Sequence, residues 1–337
     1  MKDPQSISVI GAGSWGSALS QVVATRGLPV MIWAHEPAQA GEINTRHTNE
    51  KFLPGVTLAD NIRATADMTE AAAADLLLIV PPSQFFKGVA QDLRDAGVQP
   101  GTPLVCCTKG IEHHTGRFMT QVLADFFPDH PIGALSGPNH AEEVARGTPA
   151  AAVLAAHDHE LAVDLQKFFN TGAFRAYSSD DVAGVELGGA LKNIYAIAAG
   201  ISDGLGFGDN AKSALVTRSL AELVRLGTAM GGQPETFYGL SGIGDLIVTC
   251  FSQHGRNRAL GERLGRGESL EAIQASMVMV AEGVPATRAA QEEARKRGVE
   301  TPILDMVHAV LFSAFSAREA LEQLLARDPK REHEPLP

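Results

Sequence analysis

Cysteine is scarce, with 3 in 337 residues. Cys106 and Cys107 are adjacent and Cys250 stands alone, so neither a metal-type spacing nor a disulfide framework can be built from them. Small buried hydrophobes in a reducing compartment is the reading that suits them. Basic clusters are also thin. The net charge is −11 with histidine neutral. Arg256 with Arg258, and the run Arg295, Lys296, Arg297, are too short to make a nucleic-acid footprint. No stretch reaches the roughly 18 uninterrupted apolar residues of a membrane span. The start, MKDPQSISVIGAG, has only a short apolar run before its glycines, so no membrane span and a cytoplasmic location are expected. Internal repeats are lacking too. The length leaves room for two domains whose cores need no covalent staples.

Up to about residue 180, short β-type runs alternate with helical stretches. The runs are residues 7–10, 30–33, 75–80, 103–107, 132–135, 150–154 and 174–177, and the stretches include 14–26, 83–96, 115–127 and 160–169. This alternation predicts a doubly wound, mostly parallel sheet over residues 1–180. Beyond it the pattern turns helical, at 182–202, 211–230, 257–264, 269–276, 284–297 and 303–315, which predicts an all-helical second domain over 181–325. Asp209 or Asn210 is available to cap its second helix. The charged, proline-rich tail 326–337 is expected to be disordered.

Gly11-Ala12-Gly13-Ser14-Trp15-Gly16 fits GxGxxG directly after the first strand and opens a helix. In that βαβ setting the pattern reads as a Rossmann-like dinucleotide loop. The first glycine turns the chain, the second lets backbone approach a pyrophosphate, and the third packs helix on strand. Glu36, twenty residues past Gly16, suits the ribose hydroxyls of NAD, whereas His35 suits a 2′-phosphate if Glu36 turns away, so NAD and NADP both stay open.

Lys192 is the only cation of the segment VELGGALKNIYAIAAGI, whose apolar surface is too wide for a one-sided helix. Burial would lower its pKa towards general acid–base use. A snorkelling lysine or a structural ion pair is the plainer alternative. Its side chain leans over Gly189 and Gly188, which suggests room for a small ligand there. Lys109 follows a strand at the sheet edge where ligands bind, and Gly137-Pro138-Asn139-His140-Ala141 offers free N–H groups at another strand end. Gly242-Ile243-Gly244-Asp245 resembles a helix start, with Asp245 a cap or the partner of a buried cation. Gly255-Arg256-Asn257-Arg258 gathers donors suited to phosphate oxygens.

Taken together, GAGSWG, TKGIE, LSGPNHAEEVARG, the block from VELGGALKN to GFGDNAKSALVTR, GLSGIGDLIVTC and RNR resemble the bacterial NAD(P)-dependent glycerol-3-phosphate dehydrogenase family, from about residue 7 to about 315. The resemblance implies reversible hydride transfer between sn-glycerol 3-phosphate and NAD(P)+, giving dihydroxyacetone phosphate and NAD(P)H, with a product that feeds glycerophospholipid synthesis. It implies cofactor contacts at Ser14, Trp15, His35, Lys109, Ala141, Arg256, Val280 and Glu282, alongside the loop glycines Gly11, Gly13 and Gly16. Substrate contacts are implied at Lys109, Gly137, Asn139, Lys192, Asp245, Gly255, Arg256 and Asn257, with Lys192 as proton acceptor and Asp245 supporting it. Two positions depart from the family pattern: Asn139, where serine or threonine is usual, and Gly255, where serine is usual. Members of the family often form homodimers. The rival readings are a related two-domain hydroxy-acid or hydroxyacyl dehydrogenase and a catalytically silent NAD(P)H sensor.

Overall fold

The computed structural model describes residues 2–112, 115–253, 255–313, 315–329 and 331–332. Of the expected disordered tail, residues 330 and 333–337 lie outside the described residues. One eight-stranded sheet comprises β1 (Ile7–Ile10), β2 (Val30–Trp33), β3 (Ile62–Thr65), β4 (Leu76–Ile79), β5 (Leu104–Cys106), β6 (Ile132–Ser136), β7 (Ala150–Ala156) and β8 (Phe174–Ser179), in the order 3-2-1-4-5-6-7-8. Every neighbouring pair is parallel except β6 with β7. All four residues of β1 and all four of β4 are buried, as strands covered by helices on both faces require. The chain runs outward from β1 to β3 and returns beyond β1 at β4. The crevice at the carboxyl ends of β1 and β4 is therefore the switch point where ligands enter such sheets.

The β3 strand was not anticipated. It is a four-residue edge strand, IRAT, with Arg63 exposed, too short and too polar to stand out as an apolar run. The helix expected over 115–127 is shorter, Met119–Phe126, because Phe118 is taken up in an antiparallel bridge with Ile111.

The second half is built on the helix Val182–Gly204, buried at every position from 184 to 202. Asp181 caps it, accepting from the Gly184 N–H at 2.8 Å, and also takes the Gln233 N–H at 2.8 Å and the Thr236 hydroxyl at 2.6 Å. The next helix, Gly208–Ala229, begins earlier than expected. Neither Asp209 nor Asn210 caps it; Phe207 holds the cap position and Asp209 lies in the first turn.

The long helix crosses the helix Arg256–Gly265 with backbone on backbone. A Cβ on Gly200 would lie 2.0 Å from the Arg258 carbonyl oxygen, and one on Gly261 would lie 2.1 Å from that of Ile197. Gly204 and Gly265 repeat the approach one turn on, at 2.2 Å from Glu262 O and 2.6 Å from Ile201 O. This seam fixes the start of the second helix relative to Lys192. Gly200→Ala is expected to cost roughly 1–3 kcal/mol of stability by overpacking. A denaturant midpoint equal to that of the parent protein would show that the seam tolerates a methyl group.

Candidate active site

The GAGSWG loop has the local geometry that a pyrophosphate needs. Gly11 adopts φ +127°, and a Cβ there would meet the Val80 carbonyl carbon at 3.0 Å. A Cβ on Gly16 would lie 1.9 Å from the Gly11 oxygen, so that glycine lets the helix sit on its own turn. Over Gly13 nothing lies within 4 Å, and Gly13 is the N-cap of the helix Ser14–Ala24, with no side chain capping it. First-turn N–H groups thus face open space at the positive end of a helix dipole. These residues fit a dinucleotide. Ala141, buried at the start of the helix Ala141–Ala145, is packed beside this one.

His35 and Glu36 are exposed at the end of β2. The His35 ring stands edge-on to Trp33 at 6.0 Å. Glu36 is drawn to Lys51, whose amine donates to it at 2.9 Å.

At the ends of β5 and β6 a polar group is sealed beneath the long helix. Asp245 is fully buried, with 0% exposure. One of its carboxylate oxygens accepts from Lys192, and the other accepts from Lys109 at 2.7 Å. Lys109 also donates to the Gly137 carbonyl at 2.8 Å. Lys192 donates to the Thr249 hydroxyl at 2.6 Å, and that hydroxyl donates to the Asp245 carbonyl at 2.7 Å. Burial is the largest influence on Lys192. It outweighs the opposing attraction of Asp245, and with the repulsion of Lys109 it lowers the amine to about 7.

Of the two readings of Asp245, partner of a buried cation is the one found, and Gly244 takes the cap position of the helix Asp245–Phe251. One expectation changes. The glycines before Lys192 leave no room for a ligand, because protein fills it. A Cβ on Gly188 would lie 2.3 Å from the Ser241 carbonyl oxygen, and one on Gly189 would lie 2.5 Å from Ser136 Oγ and 3.3 Å from Lys109 Cγ. Thr249 was missed, although it stands four residues after Asp245, the spacing that puts two side chains on one helical face.

The expected anion elements lie in the same region. Gly255 is the N-cap of Arg256–Gly265, and Arg256 is exposed, donating to the Val280 carbonyl at 3.2 Å. The Asn257 side chain serves the framework. Its amide donates to Asn193 Oδ1 at 2.9 Å, and its carbonyl accepts from the Gly283 N–H at 2.9 Å, so its backbone N–H is the group left for an anion. Glu282 accepts from the Ser83 N–H at 3.0 Å and from the Ser83 hydroxyl at 2.5 Å, and Ser14 Oγ lies 3.7 Å from the Met279 sulfur. Residues 279–282 therefore span from the arginine-bearing helix start to the dinucleotide loop. Asn139 donates to the Ala151 carbonyl at 3.0 Å, and its buried Oδ1 has no partner among the described residues. The helix start also has a brace: Asp203 accepts from Lys212 at 2.8 Å and from Arg258.

A glycine-lined turn at the switch point of a mostly parallel sheet, with a buried lysine of near-neutral pKa under the helices that follow, suits a dinucleotide-dependent dehydrogenase. Residues 6–162 match the NAD-dependent glycerol-3-phosphate dehydrogenase N-terminus family, and residues 181–322 match the corresponding C-terminus family. The chain belongs to the NAD-dependent glycerol-3-phosphate dehydrogenase family. It is 49% identical to "Glycerol-3-phosphate dehydrogenase [NAD(P)+] 1" of Salinibacter ruber, covering 97% of each chain. It is 46% identical to "Glycerol-3-phosphate dehydrogenase [NAD(P)+]" of Bacillus cereus, covering 98% of each. The crystal structure of the glycerol-3-phosphate dehydrogenase of Coxiella burnetii superposes with a TM-score of 0.91 at 36% identity, covering 96% of this chain and 99% of that one.

The Glu36–Lys51 pair generates a prediction. With Glu36 held by Lys51, a 2′-phosphate meets less negative charge. Lys51→Ala should lower the NADPH-to-NADH ratio of kcat/KM by roughly 5-fold, the scale of an exposed charge pair. An unchanged ratio in parallel assays would remove Lys51 from cofactor selection.

Proposed function

We propose that this chain is an NAD(P)-dependent glycerol-3-phosphate dehydrogenase that interconverts sn-glycerol 3-phosphate and dihydroxyacetone phosphate, working in the cytoplasm chiefly as a reductase that supplies glycerophospholipid synthesis. The observation that carries it is the buried Lys192–Asp245–Lys109 chain at the carboxyl edge of the sheet that bears the GAGSWG loop. The Salinibacter and Bacillus relatives are named as glycerol-3-phosphate dehydrogenases of either nicotinamide cofactor, which supports the same substrate and cofactors here. A homodimer is part of this reading. Among the described residues, no helix is long and apolar enough to cross a membrane.

In this reading Gly11, Gly13, Ser14, Trp15 and Gly16 hold the pyrophosphate. His35 sits at the adenosine end, and Ala141, Val280 and Glu282 close over the cofactor. A bound nicotinamide would supply the hydride chemistry at C2 of the substrate. Lys192 handles the proton. Its neutral amine accepts the C2 hydroxyl proton during oxidation, and its ammonium returns one to the developing alkoxide during reduction. Asp245 orients the amine, and Lys109, also shared with the cofactor, keeps Asp245 in place while presenting positive charge to the substrate. Gly137 and Asn139 line the substrate's other side, where the unpartnered Asn139 Oδ1 can accept from a hydroxyl. Gly255, Arg256 and Asn257 anchor the phosphate, so that binding energy remote from C2 is used for positioning.

Loss of NADPH absorbance on adding dihydroxyacetone phosphate, with NADH in parallel, tests this function. No oxidation with either cofactor would overturn it, and oxidation with a hydroxy-acid precursor instead would favour a related dehydrogenase. Lys192→Ala should lower kcat by at least ~100-fold with NADPH affinity retained. Because Lys192 loses its proton near pH 7, oxidation should accelerate as pH rises through that point and reduction should slow. Flat profiles across it would exclude the amine. Arg256→Ala should raise KM for the phosphate substrate by roughly 10-fold or more, the scale of a lost charge-assisted hydrogen bond. Glycerol competing as well as glycerol 3-phosphate against the parent enzyme would rule out the anchor.

A further inference from the structure

Glu186 is a buried carboxylate that the mechanism above does not use. It lies on the long helix six residues before Lys192, about 9 Å away along the axis at 1.5 Å per residue. Its side chain leaves the helical half of the molecule altogether. One oxygen accepts from the Thr120 N–H at 3.0 Å and the other from the Thr120 hydroxyl. Met119 and Thr120 open the helix Met119–Phe126, whose first-turn N–H groups have no intrahelical acceptor. Glu186 therefore caps, from across the molecule, a helix packed beneath β4 and β5 with Met119, Val122 and Leu123 in its core.

The segment between β5 and that helix carries Lys109. The helical half holds it through Lys109 on Asp245 and Ile111 in the helical core, and holds the helix that follows it through Thr120 on Glu186. Between Glu186 and Lys192, Gly189 lets the same helix lie against the Lys109 side chain. The capping carboxylate is not a cheap source of stability. Burial raises it to about 7 against the donors that lower it, and a buried charge with this balance is often replaceable by apolar packing at no loss. What it supplies is location.

We propose that Glu186 is a positioning residue for the dehydrogenase reaction, tying the loop that carries Lys109 to the helix that carries Lys192 so that both amines meet at Asp245. This rests on the function proposed above. Glu186→Ala should lower kcat for dihydroxyacetone phosphate reduction by roughly 10- to 100-fold, the scale of a misplacement near 1 Å. KM should move less than about 3-fold, because the Arg256 anchor on the opposite side is untouched, and NADPH affinity should hold. Glu186→Gln, which keeps an acceptor for the N–H and a donor for the hydroxyl, should recover most of the rate. Lys109→Met combined with Glu186→Ala should be no slower than Lys109→Met alone, because both act through one contact. Should Glu186→Ala not fold, Thr120→Val removes one donor without touching the long helix and should lower kcat several-fold in the same cycle.

Parent-like kcat in a folded Glu186→Ala or Thr120→Val protein, or losses that multiply with Lys109→Met, would overturn the assignment. Amide hydrogen exchange of the free protein separates this from the function itself. Residues 107–112 should exchange faster in the variant whether or not the parent reduces dihydroxyacetone phosphate, and unchanged exchange there would overturn the tie. An inactive parent would instead overturn the proposed function.

Discussion

A single carboxylate with no solvent contact, Asp245, organises the centre of this molecule. It receives two amines, one from each half of the chain, and at Lys192 its attraction opposes the burial that lowers the amine. Taking away one partner of such a buried pair commonly costs 3–5 kcal/mol, since the remaining charge is left uncompensated. The arrangement is also asymmetric in charge. Two amines share one carboxylate, and burial lowers one of them, Lys192, to about 7. Both amines sit at the carboxyl edge of the sheet in a chain whose net charge is −11.

Backbone contacts hold the parts around that carboxylate more than side-chain packing does. Strand ends deliver Gly11, Ser83, Lys109 and Gly137 to one edge of the sheet. The long helix then lies over that edge, with Gly188 on the Ser241 carbonyl and Gly189 on Ser136. Asp203 gathers Lys212 and Arg258 at the far end of the same helix and so sets the start of the helix Arg256–Gly265.

How much of this was legible in the sequence varied with the range of the interaction. The GAGSWG loop, the alternation that builds the sheet and the change to helices near residue 180 are local patterns, and the strands at 7–10 and 30–33 fall where periodicity puts them. Lys192 stood out because one amine in an apolar helix is a local anomaly. The glycines before it were misread, because a missing side chain shows that something comes close without showing whether it is a ligand or another stretch of backbone. Thr249 and Glu186 act on partners 57 and 66 residues away, and no spacing rule encodes such a distance. The β3 strand escaped because an edge strand keeps its polar residues.

The glycine seam between the long helix and its neighbour has a mechanical consequence. Contacts made by main chain alone have no rotamers through which to adapt, so one helix cannot slide past the other by small side-chain readjustments. Shear, the usual low-amplitude motion of packed helices, is blocked along this line. Any opening needed to admit a dinucleotide must then be taken up by bending where the sheet meets the helices, with the lysine and the arginine-bearing turn travelling as one block.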